Sequence, residues 1–292
     1  MERKNVYICM LAALLSCSDS VKVSRTLDAM PAIFPDYNGV VIPPNMAPLN
    51  FALDDQDAGS RAVFSFGGQQ FEVKGENGSI VIPPSKWKKL LESAAGDSIQ
   101  VTVQVKQGNE WVAYSPFAIR VAPEKVDSYL AYRLIDPGYE LWNKMGIYQR
   151  DLESYTQIPI IENKMSGNNC VNCHSFCMQD PNKMLFHMRE TFPGTILVDG
   201  DKIEKLNTKT KETISSLVYP SWHPSGKYVA FSVNTTKQAF HLNDRNRVEV
   251  YDEASDVVVY DVEKHEIVTA SNIFSKDAFE TFPTFSPDGK TL

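Results

Sequence analysis

The chain has 292 residues, 43% of them hydrophobic and 22% charged, the make-up of a core-forming globular protein, so wholesale disorder is excluded. Its net charge of −7, from 29 Lys and Arg against 36 Asp and Glu, excludes a protein that grips nucleic-acid backbones through a basic face. No apolar run reaches the ~18 residues that span a bilayer as a helix, and the length predicts about two domains.

Residues 1–16 read as an export signal. Arg3 and Lys4 give a basic start, positions 6–15 are apolar, and small Ser16 precedes Cys17. The ending Leu14-Leu15-Ser16-Cys17 resembles a bacterial lipoprotein signal. That resemblance implies cleavage before Cys17, lipidation of its sulfur, and a lipid anchor to a membrane, the outer membrane first, in the periplasm or at the cell surface. An ordinary cleaved signal with an incidental Cys17 is the alternative. Cleavage would remove Glu2, Arg3 and Lys4 and leave the mature chain at −8. Export puts the remaining cysteines in an oxidising compartment.

Residues 17–36 are polar and read as a linker. Short period-two runs follow at 39–42, 62–66, 70–73, 79–82, 99–105, 111–114 and 117–121, with turn residues between them. This is the pattern of an antiparallel, Ig-like β-sandwich over 37–122. One helix interrupts it at 85–94, with Ser85 as its cap and Trp87, Leu90 and Leu91 at helical spacing. Asp54, Asp55, Asp57 and Gly59 lack calcium-loop spacing and read as a polar hairpin. Residues 123–146, with Tyr129, Tyr132, Leu134, Tyr139 and Trp142, read as a collar joining the sandwich to the second half.

The second half, 147–292, contains an internal repeat. Tyr219-Pro220-Ser221-Trp222-His223-Pro224-Ser225-Gly226-Lys227 recurs as Phe282-Pro283-Thr284-Phe285-Ser286-Pro287-Asp288-Gly289-Lys290, and a looser copy runs from Ser175-Phe176 to Lys183. The strand patterns at 147–152 and 257–262 also match one another, and 235–256 reads as a polar insertion. These residues resemble the WD-like repeat of TolB-type β-propellers. The resemblance implies a radial array of four-stranded antiparallel blades. The fold class expected is therefore all-β: an N-terminal β-sandwich followed by a TolB-like β-propeller. The propeller is expected to be incomplete, because the third copy stops at Leu292 and an open array leaves an edge unpaired.

The chemical signature is Cys170-Val171-Asn172-Cys173-His174, the attachment pattern of one covalent c-type haem (haem c). Two thiols three positions apart on a tight turn can take the two vinyl groups, and the adjacent imidazole of His174 then becomes an axial ligand of the iron. In a chain of this composition the pattern arises by chance in about one case in 10³. Three other readings compete. Cys170 and Cys173 could form a disulfide. Cys170, Cys173 and Cys177 with His174 or His187 could hold zinc, although a second Cys-x-x-Cys is missing. A thioredoxin-like pair would need a βαβ setting that the surroundings lack. For a second axial ligand His187 is the first candidate, with His223, Met178, Met184 and Met188 or an open site as the others.

No nucleophile elbow, phosphate loop or His-Glu-x-x-His motif is present. The acidic group Asp244, Glu249, Asp252, Glu253 and Asp256 reads as a solvated loop. The function expected is an exported, membrane-anchored haem protein passing electrons to or from a partner protein of the cell envelope, an electron-transfer or binding protein more than an enzyme. The alternatives are a non-redox surface lipoprotein whose propeller binds a partner or ligand, and the gate of a hydrolase domain lying beyond this chain.

Overall fold

The structure is a computed structural model and describes residues 22–54, 59–135, 144–243, 245 and 248–292. The signal at 1–16, Cys17, Asp55 and Asp57 of the acidic loop, Tyr139 and Trp142 of the collar, and Asp244 lie outside the described residues. The chain is all-β with a single α-helix among the described residues, and no sheet closes on itself. It divides into two compact units: the described residues up to Ser128 with Leu152–Tyr155, and Tyr129–Asp151 with Thr156–Leu292.

The first unit runs β1 (Val23–Thr26), β2 (Ile33–Phe34), β3 (Val41–Ile42), β4 (Phe51–Leu53), β5 (Ser60–Phe66), β6 (Gln69–Lys74) and β7 (Ser79–Ile80), then α1 (Pro84–Ala94), β8 (Ser98–Gln107), β9 (Glu110–Ala113) and β10 (Phe117–Val121). Its spine is β8, where Ile99, Val101, Val103 and Val105 alternate into the core. β8 pairs with β5, β9 and β10, while β2, β4 and β7 form a separate three-stranded sheet. Side chains of both sheets and of α1 join one hydrophobic cluster. The helix buries Trp87, Leu90, Leu91 and Ala94, one stripe of its surface.

Three expectations are corrected here. Residues 23–34 of the expected linker are not linker, because β1 pairs with β9 and β2 with β4. Pairing is not wholly antiparallel, since β1–β9 and β3–β10 run parallel. The helix starts at Pro84, with Pro83 at the cap position and no side-chain cap. Proline has no N–H to leave unsatisfied and its φ is preset for a first helical turn, so Ser85 falls inside the helix.

The second unit opens with an antiparallel three-stranded sheet, β11 (Tyr129–Ile135), β12 (Met145–Asp151) and β13 (Gln157–Glu162). Within the stretch expected as a collar, 129–135 is a strand in register with β12. Two four-stranded meanders follow: β14 (Cys170–Phe176), β15 (Lys183–Arg189), β16 (Gly194–Asp199) and β17 (Lys202–Leu206), then β18 (Leu217–Trp222), β19 (Tyr228–Phe240), β20 (Val248–Asp261) and β21 (Glu266–Val268). The polar insertion is not a loop. β19 and β20 continue their ladder from Thr235↔Ala254 to Phe240↔Val248, making a long hairpin arm. The third copy repeats the turn of the second. His223 N–H donates to the Tyr228 carbonyl and Gly226 N–H to the His223 carbonyl, as Ser286 N–H does to Thr291 and Gly289 N–H to Ser286. Gly226 and Gly289 close these turns at φ +69° and +71°, a region that glycine enters without the clash of a Cβ.

Candidate functional site

The Cys-x-x-Cys-His motif does not lie on a tight turn. Residues 170–172 are extended and pair with β15 as Cys170↔Arg189, Val171↔Met188 and Asn172↔His187. Cys173 and His174 then form a β-bulge, two residues opposite the single Phe186, before Ser175 pairs with Leu185. Cys173 carries the left-handed turn at φ +52°. The same bulge recurs in β18, where Tyr219 and Pro220 interrupt the ladder and Tyr219 has φ +49°; Phe282 of the third copy has φ +51°. The motif is therefore part of the first repeat, and Cys173-His174 occupies the place of Tyr219-Pro220 and Phe282-Pro283.

Two residues of β11 hold this bulge. The Asn172 Oδ1 atom accepts from the Cys173 N–H at 2.8 Å and from Arg133 Nη1 at 2.8 Å. The His174 ring donates to the Ala131 carbonyl, a contact that works against the burial pushing its pKa below the usual histidine value; Arg133 lowers it further. Burial thus favours the neutral imidazole, the form that can bind a metal. Cys170 and Cys173 are half-buried and unbonded. Burial raises the Cys170 pKa, with Arg189 and Arg133 opposing it.

Cys173 and His174 line an open cavity of about 560 Å³, together with Met178, Tyr219, Trp222 and Phe282 among others. Every wall residue comes from one of the three repeat copies. The Tyr219 and Phe282 rings pack 4.8 Å apart, His174 meets the edge of Phe176 at 6.3 Å, and the Trp222 indole N–H donates to the Ser175 carbonyl at 3.2 Å. The cavity volume is within the range of small-molecule and cofactor sites. The Cys173 thiol, the His174 imidazole with its Ala131 hydrogen bond and the aromatic rings therefore share one wall, whereas Cys170, the second thiol that a covalent haem needs, is not among the residues lining the cavity.

His187, the first candidate for a second axial ligand, is not on this cavity. It is 3% exposed, its Nδ1 lies 3.1 Å from Thr195 Oγ1, and burial with the Arg189 charge lowers its pKa to about 4. The cause is β15, which is buried on both faces from Met184 to Met188. Met184 and Met188 are core residues of the same strand. His223 latches the second turn to the third copy, with Nε2 2.9 Å from the Gly289 carbonyl and Nδ1 2.7 Å from Ser225 Oγ. Cys177 packs in the core with Leu185, Leu197 and Trp222, and burial raises its pKa. This removes it from the zinc set; among the described residues no three His, Cys, Asp or Glu side chains converge on one point. Along the hairpin arm Asp252 accepts from Asn234 and Thr236, Glu249 meets His241 and Glu253 meets Lys237, as a solvated ribbon would.

Sequence reasoning missed Ala131 and Arg133, which carry no motif. It also missed that the first copy begins at Cys173. The copies themselves hold that signal, since Cys-His-Ser-Phe aligns with Tyr-Pro-Ser-Trp and Phe-Pro-Thr-Phe.

No protein-family profile matches the chain, and no curated protein does. Among solved structures the chain is similar to a DUF4784 family protein from Bacteroides caccae, at 7% identity and a TM-score of 0.23, over 85% of this chain and 68% of that one.

Proposed function

We propose that this chain is an exported c-type haem protein, tethered to a membrane by lipid on Cys17, which exchanges electrons with a partner protein of the cell envelope. Cys170 and Cys173 would carry one haem as thioethers and His174 would be the first axial ligand. When bound, the group supplies a one-electron ferrous–ferric couple. The chain's own part is to orient the His174 ring through Ala131, to fix the bulge through Asn172 and Arg133, and to wall the site with aromatic rings. The observation that carries the reading is that the free Cys173 thiol and the braced His174 imidazole share one aromatic-lined cavity.

The architecture belongs to the same proposal. Two successive four-stranded meanders with bulged first strands, and a third copy making the same turn, are what consecutive TolB-like propeller blades would look like. The shared core of the two sheets in the first unit suits a β-sandwich.

The test is a pyridine haemochrome spectrum and an intact mass on the full chain made with a cytochrome c maturation system. The expected result is one haem added per chain, lost when Cys170 and Cys173 are both replaced by serine. Free or mutually bonded sulfurs in the exported protein would refute the reading. A non-redox binding module is favoured by one feature, the open aromatic mouth formed by Tyr219 and Phe282, which are 37% and 62% exposed. In that case partner binding would survive the double serine variant unchanged.

A further inference from the structure

The third repeat copy is fastened to the second through residues 273–282, which return to β20 after β21. The Val257 N–H donates to the Ile273 carbonyl at 2.9 Å, the Glu280 N–H to the Ser255 carbonyl at 3.1 Å, and Ser255 Oγ to the Glu280 carbonyl at 2.6 Å. Thr281 Oγ1 then lies 3.3 Å from Ser232 Oγ, which accepts from the Phe282 N–H at 2.7 Å. This connection delivers Phe282, Pro283 and Thr284 to the wall of the cavity that Cys173 and His174 share.

Two acids meet inside the connection. Asp256, 6% exposed on β20, accepts from the Ser275 N–H, and Glu280 Oε1 accepts from the Ser275 hydroxyl at 2.7 Å. The other Glu280 oxygen, Oε2, is buried without a hydrogen-bond partner. Among the described residues neither acid has an ion-pair partner. β19 sets uncharged Val233 and Asn234 opposite Asp256 and Ser255. On β20, Asp252 is engaged by Asn234 and Thr236 and Glu253 by Lys237, while Lys276 and Asp277 of the connection are exposed. Burial and the Glu280 charge together push the Asp256 carboxyl above the usual carboxylate range. An orphaned carboxylate oxygen beside a second buried carboxylate suffers desolvation and repulsion at once, and one proton relieves both.

We propose that Asp256 and Glu280 hold one proton between them and act as a pH-dependent clasp on the third copy. With the proton in place the pair carries one negative charge, the Glu280 oxygen gains a donor, and the connection lies tight against β20. Losing that proton sets two charges against each other and loosens 273–284, and with it one wall of the cavity. A carboxyl that binds its proton more tightly in the clasped form stabilises that form at low pH, and the contribution is lost as pH rises. The clasp concerns the wall and not a ligand, so it stands apart from the haem reading.

The experiment follows hydrogen exchange of peptides covering 273–284 in the full chain between pH 4 and 8, corrected for the intrinsic pH dependence of exchange. Peptides of β15 report any opening of the whole unit. The parent is compared with Asp256→Asn and Glu280→Gln, each of which leaves a single acid in the connection; if one variant fails to fold, the other carries the test. The expected result is protection in the parent that falls severalfold as pH rises while β15 does not follow, and high protection independent of pH in the variants. Protection in the parent that ignores pH, or that falls equally in the variants, would overturn the proposal. So would protection at pH 7.5 that rises with calcium ion and falls with a chelator in the parent, since a cation and not a proton would then join the two carboxylates.

Discussion

Acidification should loosen the second unit through His187, and the size of the effect follows from its surroundings. The ring is 3% exposed, pairs with Thr195 and sits near Arg189, so its pKa falls from 6.5 to about 4 on folding. Above pH 6.5 the ring is neutral in both states and costs nothing. Between 6.5 and 4 the unfolded chain takes up a proton that the folded chain refuses, so stability falls as pH falls. A gap of about 2.5 pH units at 1.36 kcal/mol each gives a loss of about 3 kcal/mol by pH 4, with about 1.4 kcal/mol already gone at pH 5.5. His174, also lowered by burial, adds to the loss with the same sign. The assay is urea denaturation at pH 7.5, 5.5 and 4.5 for the parent and for His187→Leu, which fills the same buried position without a titrating group. The variant should show a flatter dependence on pH, closing most of the gap to the parent at pH 4.5. Parallel curves for the two proteins across that range would refute the reasoning, because the carboxylates common to both would then account for all the acid sensitivity.

Other perturbations test the site and its frame. Arg133→Gln should raise the Cys170 pKa by removing one of the two cations that oppose its burial, and slower alkylation of that thiol at fixed pH in the haem-free protein would register it. Gly226→Ala forces a Cβ into a turn at φ +69° and within 3.2 Å of Cys177 Sγ, so it should cost at least the ~1–2 kcal/mol of a left-handed alanine, read as a lowered unfolding midpoint. Cys177→Ser should cost about 1–3 kcal/mol by burying a hydroxyl among Leu185, Leu197 and Trp222, yet leave haem content unchanged. Asn172→Ala removes the acceptor of two hydrogen bonds at 2.8 Å, and it should lower the yield of haem-loaded protein more than it lowers the unfolding midpoint.

What could be read from the sequence follows where water lies. The seven period-two runs of the first unit all contain strands; β6, β8 and β10 show why, each setting buried positions between wetter ones, and alternation is the record of that asymmetry. The helix was legible for the same reason, through the spacing of Trp87, Leu90 and Leu91. Elements with two similar faces left no such record. The hairpin arm beyond Thr235 is wet on both sides, so its residues read as a polar insertion although they hold a ladder out to Phe240 and Val248. β15 is dry on both sides, so His187 looked available as a ligand although its strand is sealed in. The strand β1, Val-Ser-Arg-Thr, is held by pairing with β9 and not by burial, and such pairing leaves no trace in its own composition. The motif itself was plain, but its backbone was not. Whether residues 170–174 fold as a tight turn or as a bulged strand depends on the partner strand, which the motif's own residues do not record.

The bulge also explains how a chemical site can be added to a repeat without rebuilding it. In the first two copies the first strand turns through a left-handed residue at a bulge, at Cys173 and Tyr219, and Phe282 of the third copy has the same left-handed backbone; residues at and just after these three positions line the one cavity. Two copies fill that position with an aromatic ring followed by proline, which supplies wall and stiffness and no ligand. The first copy has a thiol and an imidazole instead, at a position where the backbone already departs from the pleat and re-aims its side chains. The ladder on either side of the bulge still closes, Val171 against Met188 and Phe176 against Met184, so the exchange leaves the sheet pairing intact. What it does require is a brace for the polar groups, and β11 provides it through Ala131 and Arg133. On this account the stability of the sheet and the chemistry of the cavity are separable. Replacing Cys173 and His174 by the Tyr-Pro of the second copy should abolish haem binding while keeping the unfolding midpoint close to that of the haem-free parent. A variant that fails to fold would show instead that the motif is woven into the sheet and not mounted on it.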